Sequence, residues 1–177
     1  EGLYNSSKER TKNLVQSTMK VVEYYYERQQ DGELSESQAK RRAAEAVRNL
    51  RYGDDDYFWI HNMDTVMVMH PFSEDLEGES LNDYADPNGV RLFAEMNKTI
   101  RNEGGSGFVP YHWPKPGFDD PVRKISYVQR FEPWDWVIGT GIYLDEQEAQ
   151  YAAAMSGVIT LAVIGILVLI GVSFLIV

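Results

Sequence analysis

The chain has no cysteine, only three histidines and fewer cations than anions, and each shortage removes a class of function. Without cysteine there is neither a disulfide framework nor a thiolate metal site. With 17 Lys and Arg against 27 Asp and Glu, the formal net charge is -10, and no basic stripe interleaved with aromatics relieves it. Such a surface repels a phosphate backbone, which excludes nucleic acid as a partner. His61, His70 and His112 lie in separate segments, without the close pairing of a zinc-binding helix. Asp54-Asp55-Asp56 lacks the alternating oxygens and glycine of an EF-hand loop. There is no GxSxG nucleophile elbow, and Gly139-Thr140-Gly141 sits in a strand pattern without the helix that follows a phosphate loop. An acidic chain always offers carboxylate pairs for a hydrolase, but nothing singles one out. No metal, no cofactor and no enzymatic activity are expected.

Charge is missing altogether from Ala152 to Val177. These 26 residues span roughly 39 Å as a helix, against about 30 Å for the hydrocarbon core of a bilayer. A transmembrane helix is expected over 152–177, preceded by a juxtamembrane linker over 145–151. Its C-terminal position rules out a signal peptide. The chain opens in mid-helix and stops before any following loop, so a fragment of a longer membrane protein is expected.

The polar part divides in two. Over 1–52, apolar residues at Val15, Met19, Val22 and Tyr26 follow the period of one helical face. Asp31-Gly32 ends that helix, and Ser35 with Gln38 forms a capping box for a second one that buries Ala39, Ala43, Val47 and Leu50. Lys40, Arg41, Arg42 and Arg48 are read as its solvated face. Over 53–144 the period changes to alternation. "YFWIH" and "VMVMH" flank a turn at Asn62 to Thr65, "DPNG" launches an amphipathic helix carrying Leu92, Phe93, Met96 and Ile100, and strands follow at 108–113, 124–131 and 136–143. The fold class is α+β: a five-stranded antiparallel sheet with one inserted helix, packed on a long N-terminal helix.

Alternation also sorts the candidate site. Lys124, Ser126 and Val128 share one face of their strand, and Val109, Tyr111 and Trp113 one face of the preceding strand. If the two pair, Lys124 meets Tyr111 and Trp113 across the ladder, in a cationic, hydrogen-bonding concavity suited to a small anion. A buried ammonium needs a partner. On the residues alone, Asp119, Asp120 or Glu132 stands ahead of a ligand carboxylate for that role, and His70 reads as structural. Phe58, Trp59, Met67 and Met69 suit either the core or an apolar floor.

The segments "DYFWIHNMDTVMVMHP", "LEGESLNDYADPNGVRLFAEM" and "GFVPYHWPKPGFDDPVRKISYVQRFEPWDWVIGTGIYLD" resemble the single Cache domain of the second type, found outside the membrane in bacterial chemoreceptors and sensor kinases. The resemblance covers residues 3–150. It implies a PAS-like sheet with a pocket for a small organic acid such as acetate, propionate, pyruvate or lactate. It favours ligand binding by Lys124, with His70, Tyr111, Trp113 and Tyr127 as wall or hydrogen-bonding residues. Trp59, Phe58 and Met69 are candidates for the floor, and Lys115 of the "WPKPG" element completes the set. It further implies residues 1–151 on the outer side of a bacterial inner membrane, signalling by a methyl-accepting receptor, a histidine kinase or a cyclase. A homodimer through the N-terminal helices is expected along Val15, Met19, Val22 and Tyr26, a stripe that must also pack on the sheet.

Overall fold

The computed structural model describes residues 2–53, 56–115 and 118–144, so the expected linker and membrane helix lie outside the described residues. Among the described residues no helix is long and apolar enough to cross a membrane. Helix α1 runs Gly2–Gln30 and buries Val15, Met19 and Val22. Gly32, at φ 74°, takes the left-handed turn that stops it, and the N–H groups of Glu33 and Leu34 fold back onto the Arg28 carbonyl. Helix α2, Glu36–Arg48, starts at the expected box: the Gln38 N–H donates to Ser35 Oγ and the Ser35 N–H to Gln38 Oε1.

The sheet contains β3 (Trp59–Asn62), β4 (Met67–Met69), β5 (Ser106–Trp113), β6 (Val122–Phe131) and β7 (Trp136–Tyr143), after a small ribbon of β1 (Arg51–Tyr52) and β2 (Asp56–Tyr57). The order β4-β3-β7-β6-β5 is antiparallel throughout, with the last strand at the centre. At the β5 edge Pro110 has no N–H to offer a further strand, and the β4 edge is covered by backbone bonds to residues 77–79. Helix α3, Leu92–Asn102, lies between β4 and β5 in the chain.

Two apolar layers sandwich the sheet. On one face α1 and α2 cover Phe58, Ile60, Met69, Tyr127, Phe131, Trp134, Trp136 and Ile138. Here Trp134 Nε1 donates to Gln29 Oε1 at 2.8 Å, tying the β6–β7 turn to α1. On the other face Leu92, Phe93, Met96 and Ile100 of α3 cover Tyr57, Trp59, Tyr111, Trp113 and Val128. The α1 stripe therefore faces the sheet within one copy. This corrects the expectation that a second copy uses it, because a surface buried in the monomer is not available to a dimer.

Arg48 departs from the solvated face expected of α2. It reaches Glu77 at 2.6 Å and the His70 carbonyl at 3.4 Å, so α2 anchors the loop that follows β4. A second buried network locks α3 to the sheet. Trp59 Nε1 donates to His61 Nδ1, His61 Nε2 donates to Asn97 Oδ1, and Asn97 Nδ2 donates to the Asn62 carbonyl. His61 is buried and held neutral, its pKa lowered to about 4 by burial with Asn97 offsetting part of that. Asn97→Ala leaves the buried His61 Nε2–H unpaired and removes one of the two donors to the Asn62 carbonyl, which keeps the Thr65 N–H. The expected loss of unfolding free energy in urea is about 1–3 kcal/mol, and an unchanged stability would show that water replaces the amide.

Candidate functional site

The strand pairing expected around Lys124 is present: Tyr111 is its partner on β5 and Tyr143 its partner on β7. Both partners are aromatic. Lys124 is 1% exposed. Its Nζ donates to Tyr57 Oη at 3.2 Å and lies 4.4 Å from the Tyr57 ring centre, 4.7 Å from that of Tyr143 and 5.8 Å from that of Trp59. Asp119, Asp120 and Glu132, the expected internal partners, are exposed. The carboxylate that favours the charged form is Asp56, half-buried on β2. Each ring contact offsets about 0.5–2 kcal/mol of the burial cost. Burial still wins, and the Lys124 pKa falls from 10.5 to about 7, with Asp56 opposing the shift.

Two glycines make the space. A Cβ on Gly139 would run into the Trp59 indole, and one on Gly141 into Ser126 and the β6 backbone. The "GTG" triplet is thus explained by close packing on the face that carries Lys124, with Thr140 turned to the other side. There Thr140 Oγ1 donates to the Tyr57 carbonyl and accepts from the Tyr52 hydroxyl, joining the β1–β2 ribbon to the last strand.

Tyr57, Trp59, His70, Leu92, Phe93, Tyr111 and Trp113 line a cavity beside Lys124 whose free space is about 10 Å³, the room of about one water. Outside this lining, the exposed rings of Phe72 and Tyr84 rest edge-on to Tyr57 and tilted on Trp113. Among the described residues, wider grooves along α1 beside Arg10 and between α3 and β5 beside Arg91 are open to solvent and contain no buried cation. The chemistry therefore singles out the smaller cavity.

His70 follows β4 and faces the edge of Tyr57 and the Trp113 ring. Burial first, then the charges of Lys124 and Arg48, lower its pKa to about 3, so the ring is neutral. The Phe72 N–H donates to its Nδ1 at 3.2 Å, which puts the ring proton on Nε2 as a donor. The Tyr111 hydroxyl lies 2.8 Å from Ser126 Oγ, and burial raises the pKa values of both Tyr111 and Tyr57, so these phenols keep their protons. The loop over the cavity is tied down by Asp86. Burial alone would raise the Asp86 pKa, but the N–H groups of Val90, His112 and Asn88, with the His112 side chain, outweigh it and hold the carboxyl below its usual range.

Of the nine candidates from the sequence, Lys124, His70, Tyr111, Trp113 and Trp59 come together. Tyr127, Phe58 and Met69 lie in the layer under α1, on the opposite face of the sheet. Lys115 lies at the outer end, its Nζ 5.3 Å from the Tyr143 ring centre and 4.8 Å from that of Phe118. The sequence reading passed over Tyr57, Tyr143, Leu92 and Phe93. Alternation from Trp59 back to Tyr57, and from Gly139 through Gly141 to Tyr143, carries the signal for the first two. The α3 pair is indistinguishable in sequence from ordinary core.

Comparison with known proteins gives the family. Residues 1–164 match the family model dCache_2, described as a Cache domain. Among curated proteins, the chain is 42% identical over 150 residues, 85% of its length, to the methyl-accepting chemotaxis protein McpP of Pseudomonas putida, and covers 27% of it. A solved periplasmic sensor domain of a chemotaxis protein superposes with a TM-score of 0.76 at 44% identity, covering 80% of this chain and 97% of that one. A Cache chemosensory domain solved for carboxylic acid recognition superposes with a TM-score of 0.77 at 38% identity, covering 81% and 97%. The chain spans between a quarter and a third of the curated relatives it matches, which include a sensor histidine kinase.

The lowered Lys124 pKa has a definite sign. Between about pH 7 and 10.5 the unfolded chain holds the proton and the folded one does not, so stability rises with pH there. Below about pH 7 the whole cost of the buried ammonium is present. Lys124→Met is expected to stabilise the ligand-free protein by about 1–4 kcal/mol at about pH 6, and by less at about pH 9. Chemical denaturation at both pH values measures this, and destabilisation at the lower pH would show the ring contacts to outweigh burial.

Proposed function

The chain belongs to the Cache domain family, and from that premise we propose that it is an extracytoplasmic sensor domain for a small organic carboxylate of the C2–C4 class, with acetate, propionate, pyruvate and lactate as candidates. The observation that carries this reading is the buried Lys124 ammonium, hydrogen-bonded to a neutral phenol and edged by an apolar cavity. A carboxylate supplies the counter-charge. Lys124 Nζ, Tyr57 Oη and His70 Nε2 are the proposed donors to it, with Tyr111 beside them. Trp59, Trp113, Leu92 and Phe93 are the proposed walls around its carbon chain. Lys115, half-buried at the outer end, is proposed to steer the approaching anion. Tyr127, Phe58 and Met69 are assigned to packing.

Residues 1–151 are proposed to lie outside the cytoplasm and 152–177 to form the membrane helix, supported by the match to a periplasmic sensor domain. The output is proposed to be that of a methyl-accepting chemotaxis receptor, supported by the match to McpP, with a histidine kinase or cyclase as the alternative. A homodimer through α1 would have to use the exposed side of that helix. Signalling requires the acid to favour one arrangement over another. The proposed moving parts are the loop over residues 70–91 and β7, whose Tyr143 stacks beside Lys124 at the end of the strand.

Tight binding is not expected. At about 1.5 kcal/mol per heavy atom, acetate gains at most about 6 kcal/mol and propionate about 7.5, ceilings of roughly 40 and 3 micromolar. Titration of the full chain in detergent with acetate and propionate at neutral pH tests the reading: saturable micromolar to millimolar binding, reduced at least about 100-fold in Lys124→Met, is the expected result. Retained affinity in the variant would remove Lys124 from the site. Leu92→Ala lengthens the apolar end, and at about 0.8 kcal/mol per methylene the preference for butyrate over acetate should rise about tenfold. An unchanged preference would place the chain elsewhere.

A further inference from the structure

We infer that the site takes a carboxylate together with one proton, so that above neutral pH its occupancy follows the concentration of the undissociated acid rather than that of the anion. The inference rests on the carboxylate reading above and concerns what accompanies the anion into the site.

The geometry around the nitrogen is the starting point. Lys124 is 1% exposed, and its hydrogen bond is to the Tyr57 hydroxyl, a group that can either accept from an ammonium or donate to an amine. The rings of Tyr57, Tyr143 and Trp59 surround it without supplying a negative charge. Among the described residues, the site thus holds the amine with its hydrogen bond intact and the ammonium with no anion in contact. A bound carboxylate reverses that preference, because it stabilises the ammonium and has nothing to gain from the amine.

The other charged or titratable groups facing Lys124 leave it as the proton acceptor. Tyr57 on β2 and Tyr111 on β5 are pushed up by burial and keep their protons. His70, after β4, is neutral down to about pH 3, under the influence of Lys124 itself and of Arg48 on α2. Tyr143 on β7 presents its ring, and its hydroxyl donates to the Pro114 carbonyl. Asp56 on β2 favours the ammonium without preventing the fall of Lys124 to about 7. Above that pH the binding step is balanced as carboxylate plus solvent proton plus amine giving a carboxylate–ammonium pair. No covalent bond to carbon changes, and the proton ends on Nζ. The product of anion and proton concentrations is proportional to the undissociated acid, the neutral form that can cross a bilayer. Below about pH 7 the lysine is already charged and binding follows the anion.

The test is calorimetry of the full chain in detergent with propionate, at about pH 6 and about pH 8, in phosphate and in Tris, whose ionisation enthalpies differ. Uptake of nearly one proton at the higher pH and almost none at the lower is expected, with affinity falling up to about tenfold per pH unit between about 7 and 9. Saturable binding at about pH 8 with no dependence on buffer enthalpy overturns this inference alone. No binding of any C2–C4 acid at either pH overturns the carboxylate reading, and this inference with it. Lys124→Arg gives a second check, since a guanidinium does not lose its proton in this range. If the variant binds, its affinity should be level across these pH values, and a wild-type-like decline would overturn the inference. If it does not bind, the wild-type enthalpies decide.

Discussion

A buried lysine with no contacting anion among the described residues is the constraint on which the rest of the site depends. Lys124 lies between the edge strand β5 and the central strand β7, with a phenol at hydrogen-bond distance, three aromatic rings around its nitrogen and the Asp56 carboxylate acting on it without contact. Such a position is unfavourable for the folded chain. It persists because the surrounding structure is rigid enough to hold it. Gly139 and Gly141 bring β7 close under Trp59 and Ser126, and the Trp59–His61–Asn97 relay prevents the indole from moving away.

The same constraint explains how the loop over the cavity is held. Arg48 and Asp86 are the two charged side chains that tie it down, one from α2 through Glu77 and the His70 carbonyl, the other through the N–H groups of Asn88, Val90 and His112. Both ties use charge-assisted hydrogen bonds, which hold the loop in place. The carboxylate proposed to complete the charge of Lys124 would act within that frame. β7 carries Tyr143 against that lysine and is also the central strand, with side chains in both layers of the fold.

The helices, the strands and the hairpin were legible because each writes its period into the chain. Val15, Met19 and Val22 mark one helical face, Ser35 and Gln38 cap the next helix, and alternation over β5 and β6 gives the faces on which Tyr111 and Lys124 can meet if the strands pair, as they do. Tyr127 shows where that reasoning ends. It follows Lys124 by three residues, an odd separation, so in an extended strand it faces α1 rather than the cavity; resemblance to a family cannot override that geometry. Arg48 shows the converse, since a cation on a helix's apparent outer face finds its partners on a distant loop.

By itself the sequence determined the element types, the pairing of β5 with β6 and the burial of a lysine on an aromatic face, because those follow from local periodicity and from the two-residue alternation of strands. Only the tertiary structure decided which layer each face joins, that Tyr57 rather than an acidic residue receives the lysine's hydrogen bond, and that Leu92 and Phe93 close the cavity. Those facts depend on contacts between residues far apart in the chain, which no local pattern records.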